Sequence, residues 1–401
     1  MKKKDLNYIV SCLFFLFISI HLVKGQEISI SLEDAISVAQ KNNIGLERDK
    51  LVSEQRNLLA EAGLMKQASK IYISGEEFDF NESGIHSLNI EQNFYLPATA
   101  KAHRNYYQSE AVLAGKKLEI SEQELKWEVS KAFYVLLYLA KQEEFLDESV
   151  HFYEDFLSKT RAKIEAGESG KIPELAANAK LGQARLELEH NEEQYQVALS
   201  LFNSWLQSDT LFEASGSLEY FPELPSESIS NSNIHLQLKQ AGIEVAAAEV
   251  NRKESLLLPE ISSGLKLQTI AGKLPYFGYQ IGLNIPLFKK AYRGHIQAAK
   301  VGLMVEESDM KATKLRIDRT LSELQFRLEH QIHIIEYLEE ELAPIVQERH
   351  DINQKAYEAG EIGYLESLDG LEELLKVKLQ QLDALFKFNL LRKELAYWLG
   401  N

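Results

Sequence analysis

The sequence predicts a mainly α-helical chain with transmembrane β-strands, arranged as two copies of one unit of helix, β-hairpin, long helix and helix. Three observations predict it. The stretch Glu165-Ala166-Gly167-Glu168-Ser169-Gly170 returns 193 residues later as Glu358-Ala359-Gly360-Glu361-Ile362-Gly363. The register then holds onward, with Leu175 matching Leu368, Leu181 matching Leu374, Trp205 matching Trp398 and Leu206 matching Leu399. A long segment with apolar residues at helical spacing runs into each copy and another leaves it, so each copy marks the tip of a helical hairpin, ended by its glycines. Earlier in each half lie short runs of alternating apolar and polar residues, which is strand periodicity. A period near 200 residues is a duplicated half-domain and not a short solenoid repeat. The expected organisation is a signal peptide at 1–25, a first repeat at 26–206, a linker at 207–232 and a second repeat at 233–401.

Composition narrows the class. The chain has 401 residues, 45% hydrophobic and 26% charged, enough to bury a sizeable core. Met1 to Gly25 reads as a secretory signal, with Lys2, Lys3 and Lys4 before the apolar run Ile9 to Val23 and small residues near Gly25. Ile9-Val10-Ser11-Cys12 precedes most of that run instead of following it, which argues against a lipoprotein box. Cys12 is the only cysteine, so its removal leaves no disulfide and no thiolate chemistry. The net charge of −16 excludes nucleic acid as a natural partner. No later stretch reaches the roughly 20 apolar residues of a membrane helix, so a membrane span must be built from strands.

In order along the chain, Ser31 to about Ser69 is expected as the first helix, with Ser31 as N-cap and Asp34 three residues on. Ile71 to Phe80 and the alternating run around Leu88, Ile90 and Phe94 form a hairpin, turning at Asn81 to Gly84. From Ala98 to Ala166 no proline interrupts a helical pattern, which gives a helix roughly 100 Å long. A third helix runs from Pro173 to about Leu206, proline being allowed in a first turn. Gln207 to Ser232 loses periodicity.

The second half repeats the plan. Ile234 to Leu257 is helical, Ile261, Leu265 and Leu267 alternate with polar residues, and Gly272 to Pro275 turns the chain. Phe277, Tyr279, Ile281, Leu283, Ile285 and Leu287 then form the clearest period-2 run, suited to one wall of a membrane barrel. From Phe288 to Ala359 the residues Ile317, Leu321, Leu324, Leu328, Ile335, Leu338, Leu342 and Ile345 keep heptad spacing, with Gln331 in one apolar slot. Leu375, Leu379, Leu382 and Phe386 supply the facing stripe of the last helix.

Four strands cannot close a barrel, and open edges cannot face lipid, because each unpaired backbone group there costs several kcal/mol. Copies must therefore share one barrel. Three give twelve strands, an even number with room for a lumen, although the sequence alone also allows two or four.

At this point the order of parts resembles the TolC-type outer-membrane efflux proteins. The signal peptide, the duplicated unit, the strand end Ile281-Gly282-Leu283-Asn284-Ile285-Pro286-Leu287-Phe288 and the approach Ala356-Tyr357-Glu358-Ala359-Gly360 carry the resemblance, which covers essentially the whole mature chain. It implies a homotrimer closing a twelve-stranded outer-membrane barrel on a periplasmic helical tunnel. It also implies tips that meet a periplasmic adaptor (membrane fusion protein) and an inner-membrane RND-type pump. Tyr276-Phe277-Gly278-Tyr279 is similar to the heavy-metal resistance branch, whose cargo would be metal cations. The resemblance assigns the entrance to Tyr357, Glu366 and Asp369, the two acids lying one helical turn apart and able to form threefold rings. At those tips Gly167, Gly170, Gly360 and Gly363 permit close backbone approach and Ile172, Tyr364 and Leu365 offer apolar anchors, so these residues are expected to form the docking rim. Where the family pattern would place a basic residue two positions after Gly360, this chain has Ile362, and Pro173 stands where an acid would follow the first tip, so an ionic latch is not carried over.

Glu148 with His151 and Glu187 with His190 have the spacing of di-iron bundles, but neither pair recurs in the second half, and a solvated face is the simpler reading. His330 and His333 read the same way. No phosphate loop, zinc motif or nucleophile elbow appears, so neither an enzyme nor a cofactor is expected. The competing reading is a periplasmic coiled-coil adaptor, which would carry one hairpin and no lipid-facing strands.

Overall fold

The computed structural model describes residues 28–63, 67–76, 84–167, 170–221, 233–270 and 273–400. The expected signal peptide, the Asn81–Ser83 turn, Glu168, Ser169 and most of the linker lie outside the described residues. The elements are β1 (Ile28–Ile30), α1 (Leu32–Asn42), α2 (Ile44–Ala62), β2 (Lys70–Glu76), β3 (Ile85–Phe94), α3 (Pro97–Glu165), α4 (Lys171–Leu206) and β4 (Phe212–Ala214). There follow α5 (Ile234–Ser255), β5 (Glu260–Ile270), β6 (Lys273–Asn284), α6 (Lys289–Glu336), a π-helical turn (Tyr337–Leu342), α7 (Ala343–Glu358) and α8 (Tyr364–Leu399). Two compact units share the chain. One comprises Met1–Asn42, Glu128–Glu219 and Glu336–Phe386, the other Asn43–Trp127, Tyr220–Ile335 and Lys387–Asn401.

The first unit is all helix but for one small sheet. The expected cap forms: Ser31 Oγ accepts from Asp34 N at 3.2 Å and donates to the Asp34 carboxylate at 2.8 Å. The long first helix does not. Asn43 leaves helical geometry and its side chain accepts from Leu46 N at 3.0 Å, starting a new helix, α2, which ends at Gly63 with a φ of 63°. A local cap at Asn43 thus outcompetes continuation. α1 buries Ala35 and Ala39 completely, as α4 does Phe202 and Leu206. The linker also holds more than was legible, since β4 pairs in parallel with β1, Ile28 opposite Phe212 and Ile30 opposite Ala214. Asn203 anchors that strand by accepting from Phe212 N at 2.8 Å and donating to Phe212 O at 2.9 Å.

α7 continues α6 through the π turn. Pro344 has no N–H for the Glu340 carbonyl and its ring crowds that carbonyl, and the chain answers with a wider turn in which Ala343 N–H reaches Leu338 O. The extra residue shifts the helix face. Ile317, Leu321, Leu324, Leu328, Gln331, Ile335 and Leu338 are buried as the heptads require. Beyond the turn Ile345, expected in the stripe, is 64% exposed, and Val346 is buried in its place at 2%.

In the second unit all four long strands form one antiparallel sheet in the order β2-β3-β5-β6. β6 starts at Lys273, so Lys273 to Pro275 are strand instead of turn, and it ends at Asn284 because Pro286 cannot donate to a ladder. The register stacks Ile73, Leu88, Leu267 and Phe277 in one row and Ile71, Ile90, Leu265 and Tyr279 in the next. The opposite face carries Ser74, Ser87 and Gln268, then Tyr72, Asn89, Lys266 and Gly278. Burial is inverted relative to a water-soluble sheet. Phe277 is 87% exposed and Ile281 75%, whereas Ser87, Asn89 and Ser262 are buried. The polar face is crowded, since a Cβ on Gly264 would lie 2.9 Å from Gln280 Cγ and 3.0 Å from Ile90 O.

Candidate functional site

The two glycine turns both lie in the first unit, at the ends of α3 and α7. Their conformations match: Gly167 has φ of 76° and Gly360 of 75°. At the second turn Gly360 N donates to Tyr357 O at 3.1 Å and Glu361 N to Ala356 O at 2.9 Å, the bond pair of a Schellman ending. The first shows the corresponding bond from Gly167 N to Ile164 O at 2.9 Å. Glycine is needed at both positions because a left-handed residue with a side chain is strained. Gly170 and Gly363 serve differently. Gly170 is extended, with φ −86° and ψ 177°, and caps α4 by its backbone. At neither Gly170 nor Gly363 would an added Cβ meet an atom within 4 Å.

Ile172, in the first turn of α4, is 79% exposed, and Leu175 stands exposed one turn on. Tyr364 and Leu365 begin α8, and their side chains lie outside the described residues. The tips therefore present glycine backbone and isoleucine to solvent.

The three entrance residues are not brought together as one cluster. Tyr357 packs inward, its ring 6.1 Å from that of Phe156 and covered by Lys163 Nζ at 4.2 Å. Glu366 turns back to accept from Gly363 N at 3.2 Å, the acidic half of a capping box. Asp369 is exposed and takes Arg349 Nη2 at 2.6 Å, while the other guanidinium nitrogen of Arg349 holds Glu373. Such exposed pairs contribute about 0–1 kcal/mol each, so they set geometry more than stability.

Arg349 was missed in the sequence because local pairing rules reach only three or four residues along a helix. The usable signal was the turn: Arg349 and Asp369 lie at nearly equal distances either side of Gly360, as facing residues of a hairpin must. The same rule, at a shorter distance from its glycine, pairs Arg161 with Glu174 at 3.1 Å around the first turn. Farther down, Arg185 meets Glu154 at 2.6 Å, and this hydrogen bond holds the Glu154 carboxyl below its ordinary value.

The two hairpins share a core. Leu368 of α8 packs in one cluster with Val150, Tyr153, Phe156 and Leu157 of α3 and Ala177, Leu181 and Ala184 of α4. Polar ties flank it, from Lys180 to Glu372 at 2.7 Å, from Tyr153 Oη to Glu372 at 3.3 Å and from Lys378 to Glu148 at 3.0 Å. The Glu-x-x-His pairs are likewise absorbed by neighbours, Glu148 by Lys378, His151 beside Asp147 and Glu154, Glu187 by Gln183 and His190 by Gln194. No group of three potential metal ligands occurs among the described residues. Among the described residues the site offers glycine-ended helix tips and paired charges.

No family model and no curated protein matches the sequence. Solved structures match in fold. CusC, solved in work on its folding and transmembrane channel formation, superposes with a TM-score of 0.79 at 14% identity, covering 96% of each chain. The open state of the Neisseria gonorrhoeae outer-membrane channel MtrE gives 0.76 at 14% identity, over 92% of this chain and 89% of that one. The outer-membrane protein VceC of Vibrio cholerae gives 0.75 at 14% identity, over 92% and 96%.

Proposed function

We infer that this chain, which has the fold of the TolC-type outer-membrane channels, is itself an exit duct in the outer membrane. Three copies share a twelve-stranded barrel, their helices continue as a periplasmic tunnel, and cargo passes from an inner-membrane RND-type pump and a periplasmic adaptor to the exterior. The inverted sheet carries this reading. Its apolar face is exposed, its small polar face is crowded, and its edges β2 and β6 lack partners in the sheet order, an arrangement that suits lipid on one side and a wet lumen on the other. The two-repeat organisation, 26–206 and 233–401, is supported by α4 and α8, both 36 residues long and both starting just after a glycine turn. A periplasmic adaptor would have no use for such a face.

Purified in detergent, the processed protein should be a trimer recovered from the outer-membrane fraction. A dispersed monomer that keeps its strand content, or a soluble periplasmic species, would overturn the duct. For cargo we carry forward the heavy-metal branch. Deletion should sensitise cells to divalent metals more than to drugs or detergents, and sensitivity to organic compounds alone would defeat that branch while leaving the duct.

Glu366 and Asp369 are assigned to acidic rings at the tunnel entrance, with Tyr357 behind them. Neutralising both as Glu366→Gln and Asp369→Asn should reduce single-channel cation preference, most at low salt where screening is weakest. Arg349 keeps Glu373 in this variant, so the hairpin should stay intact. Unchanged selectivity would remove the acidic-ring assignment.

A further inference from the structure

The chain carries a net charge of −16, yet five exposed cations stand near the starts of the two helices that leave one end of its sheet. Phe94 of β3 and Leu283 of β6 both sit opposite Ile261, so these two strands run the same way and end together, about two strand spacings or ~10 Å apart. α3 and α6 start just beyond. Lys101 and Arg104 near the start of α3, and Lys289, Lys290 and Arg293 at the start of α6, are all exposed. Among the described residues none of the five has an ion pair or hydrogen-bond partner for its side chain. Neither helix has an acid in its first turn to neutralise them.

Of the other charges at this end, Lys70 and Glu91 face each other across β2 and β3, and several more are engaged. Glu260 accepts from Gln67 at 3.0 Å, and Arg252 pairs with Glu249 at 2.5 Å while lying over the Tyr106 ring at 4.5 Å. Burial and the hydrogen bond to Glu110 push the Tyr106 hydroxyl up to about 12, so it stays neutral. Between the apolar face of β6 and its cations stand Leu287 and Phe288, the latter 89% exposed. Apolar side chains running into unpaired lysine and arginine match the profile of a bilayer edge, hydrocarbon first and phosphate next.

We propose that these five cations form a headgroup site for anionic phospholipid in the leaflet nearer the helices. The inference rests on the duct reading, which makes the exposed sheet face a lipid contact, and it adds a chemical preference that a passive wall would lack. Lipid is the occupant because the cations continue an exposed apolar face through Leu287 and Phe288, as headgroup phosphate continues hydrocarbon.

The test uses the full chain reconstituted into bilayers of equal parts phosphatidylcholine and phosphatidylglycerol, re-extracted in mild detergent, with retained lipid counted by native mass spectrometry. The wild type should retain phosphatidylglycerol in excess of phosphatidylcholine. A variant with all five cations changed to Gln should lose that excess, and Lys289→Gln with Lys290→Gln should lose part of it, about fivefold in retention for each cation removed. Exchanging Lys101, Lys289 and Lys290 for Arg should preserve it, which separates lost charge from damaged folding. Equal retention by wild type and the five-Gln variant, both inserted as oligomers, would overturn the lipid site and leave the duct standing. Displacement of the lipid by inorganic phosphate, but not by chloride at the same ionic strength, would overturn the commitment to lipid in favour of a free-anion site. A wild type that inserts into no bilayer would overturn the duct reading as well.

Discussion

Tryptophan at both Gly170 and Gly363 should abolish protection of cells while leaving assembly and membrane insertion at wild-type levels. The substitution is sterically cheap for the chain itself, because an added Cβ at either position meets nothing within 4 Å and Gly170 has ordinary extended geometry. Whatever is lost must therefore be lost outside the protomer. In the proposed assembly the turns are where the adaptor's backbone comes close, with Ile172 as an apolar anchor on one rim and Tyr364 and Leu365 assigned to the other. A bulky ring there holds the surfaces apart. Gly167 and Gly360 would be poorer probes, since their left-handed φ adds roughly 1–2 kcal/mol of strain to any side chain and mixes folding with docking. Crosslinking to the adaptor, read beside a resistance assay, checks the prediction. If the double tryptophan variant still crosslinks and still protects, the tips are not the docking surface.

The second large effect is a contrast between neighbouring residues on β6. Tyr279→Arg combined with Leu265→Arg should deplete the outer membrane of the protein, whereas Gln280→Arg should leave its level nearly unchanged. Tyr279 and Leu265 are register partners on the exposed apolar face, and Gln280 lies opposite Gly264 on the other. Arginine facing lipid costs roughly 2–4 kcal/mol at mid-depth, so two together outweigh much of the stability of an ordinary domain. In the proposed duct, arginine on the polar face meets water in the lumen. Quantifying each variant in membrane fractions decides the matter, and equal depletion by both would mean that the two faces have been assigned the wrong way round or that neither faces lipid.

These predictions draw unequally on sequence and structure. The sequence by itself determined the features that obey short-range rules. Alternation of apolar residues announced the long strands, helical spacing announced α3 to within a residue at each end, and paired glycines located two turns whose φ angles differ by a degree. In each case the cause lies within one turn of helix or one step of strand, so the residues that decide are adjacent and visible. The tertiary structure decided whatever depends on a partner far along the chain. β1 and β4 are three residues each, too short for a periodic signal, and each exists because the other is there to pair with it. The π turn is set by Pro344, yet only the packed structure shows that the extra residue buries Val346 and exposes Ile345. Asp369 looked like a free carboxylate because Arg349 stands 20 residues before it, and the two meet only when Gly360 reverses the chain. Local backbone preferences act between neighbours and can be read in order. Ion pairs, strand partners and buried faces are settled by where the turns bring distant residues, and that is a property of the fold.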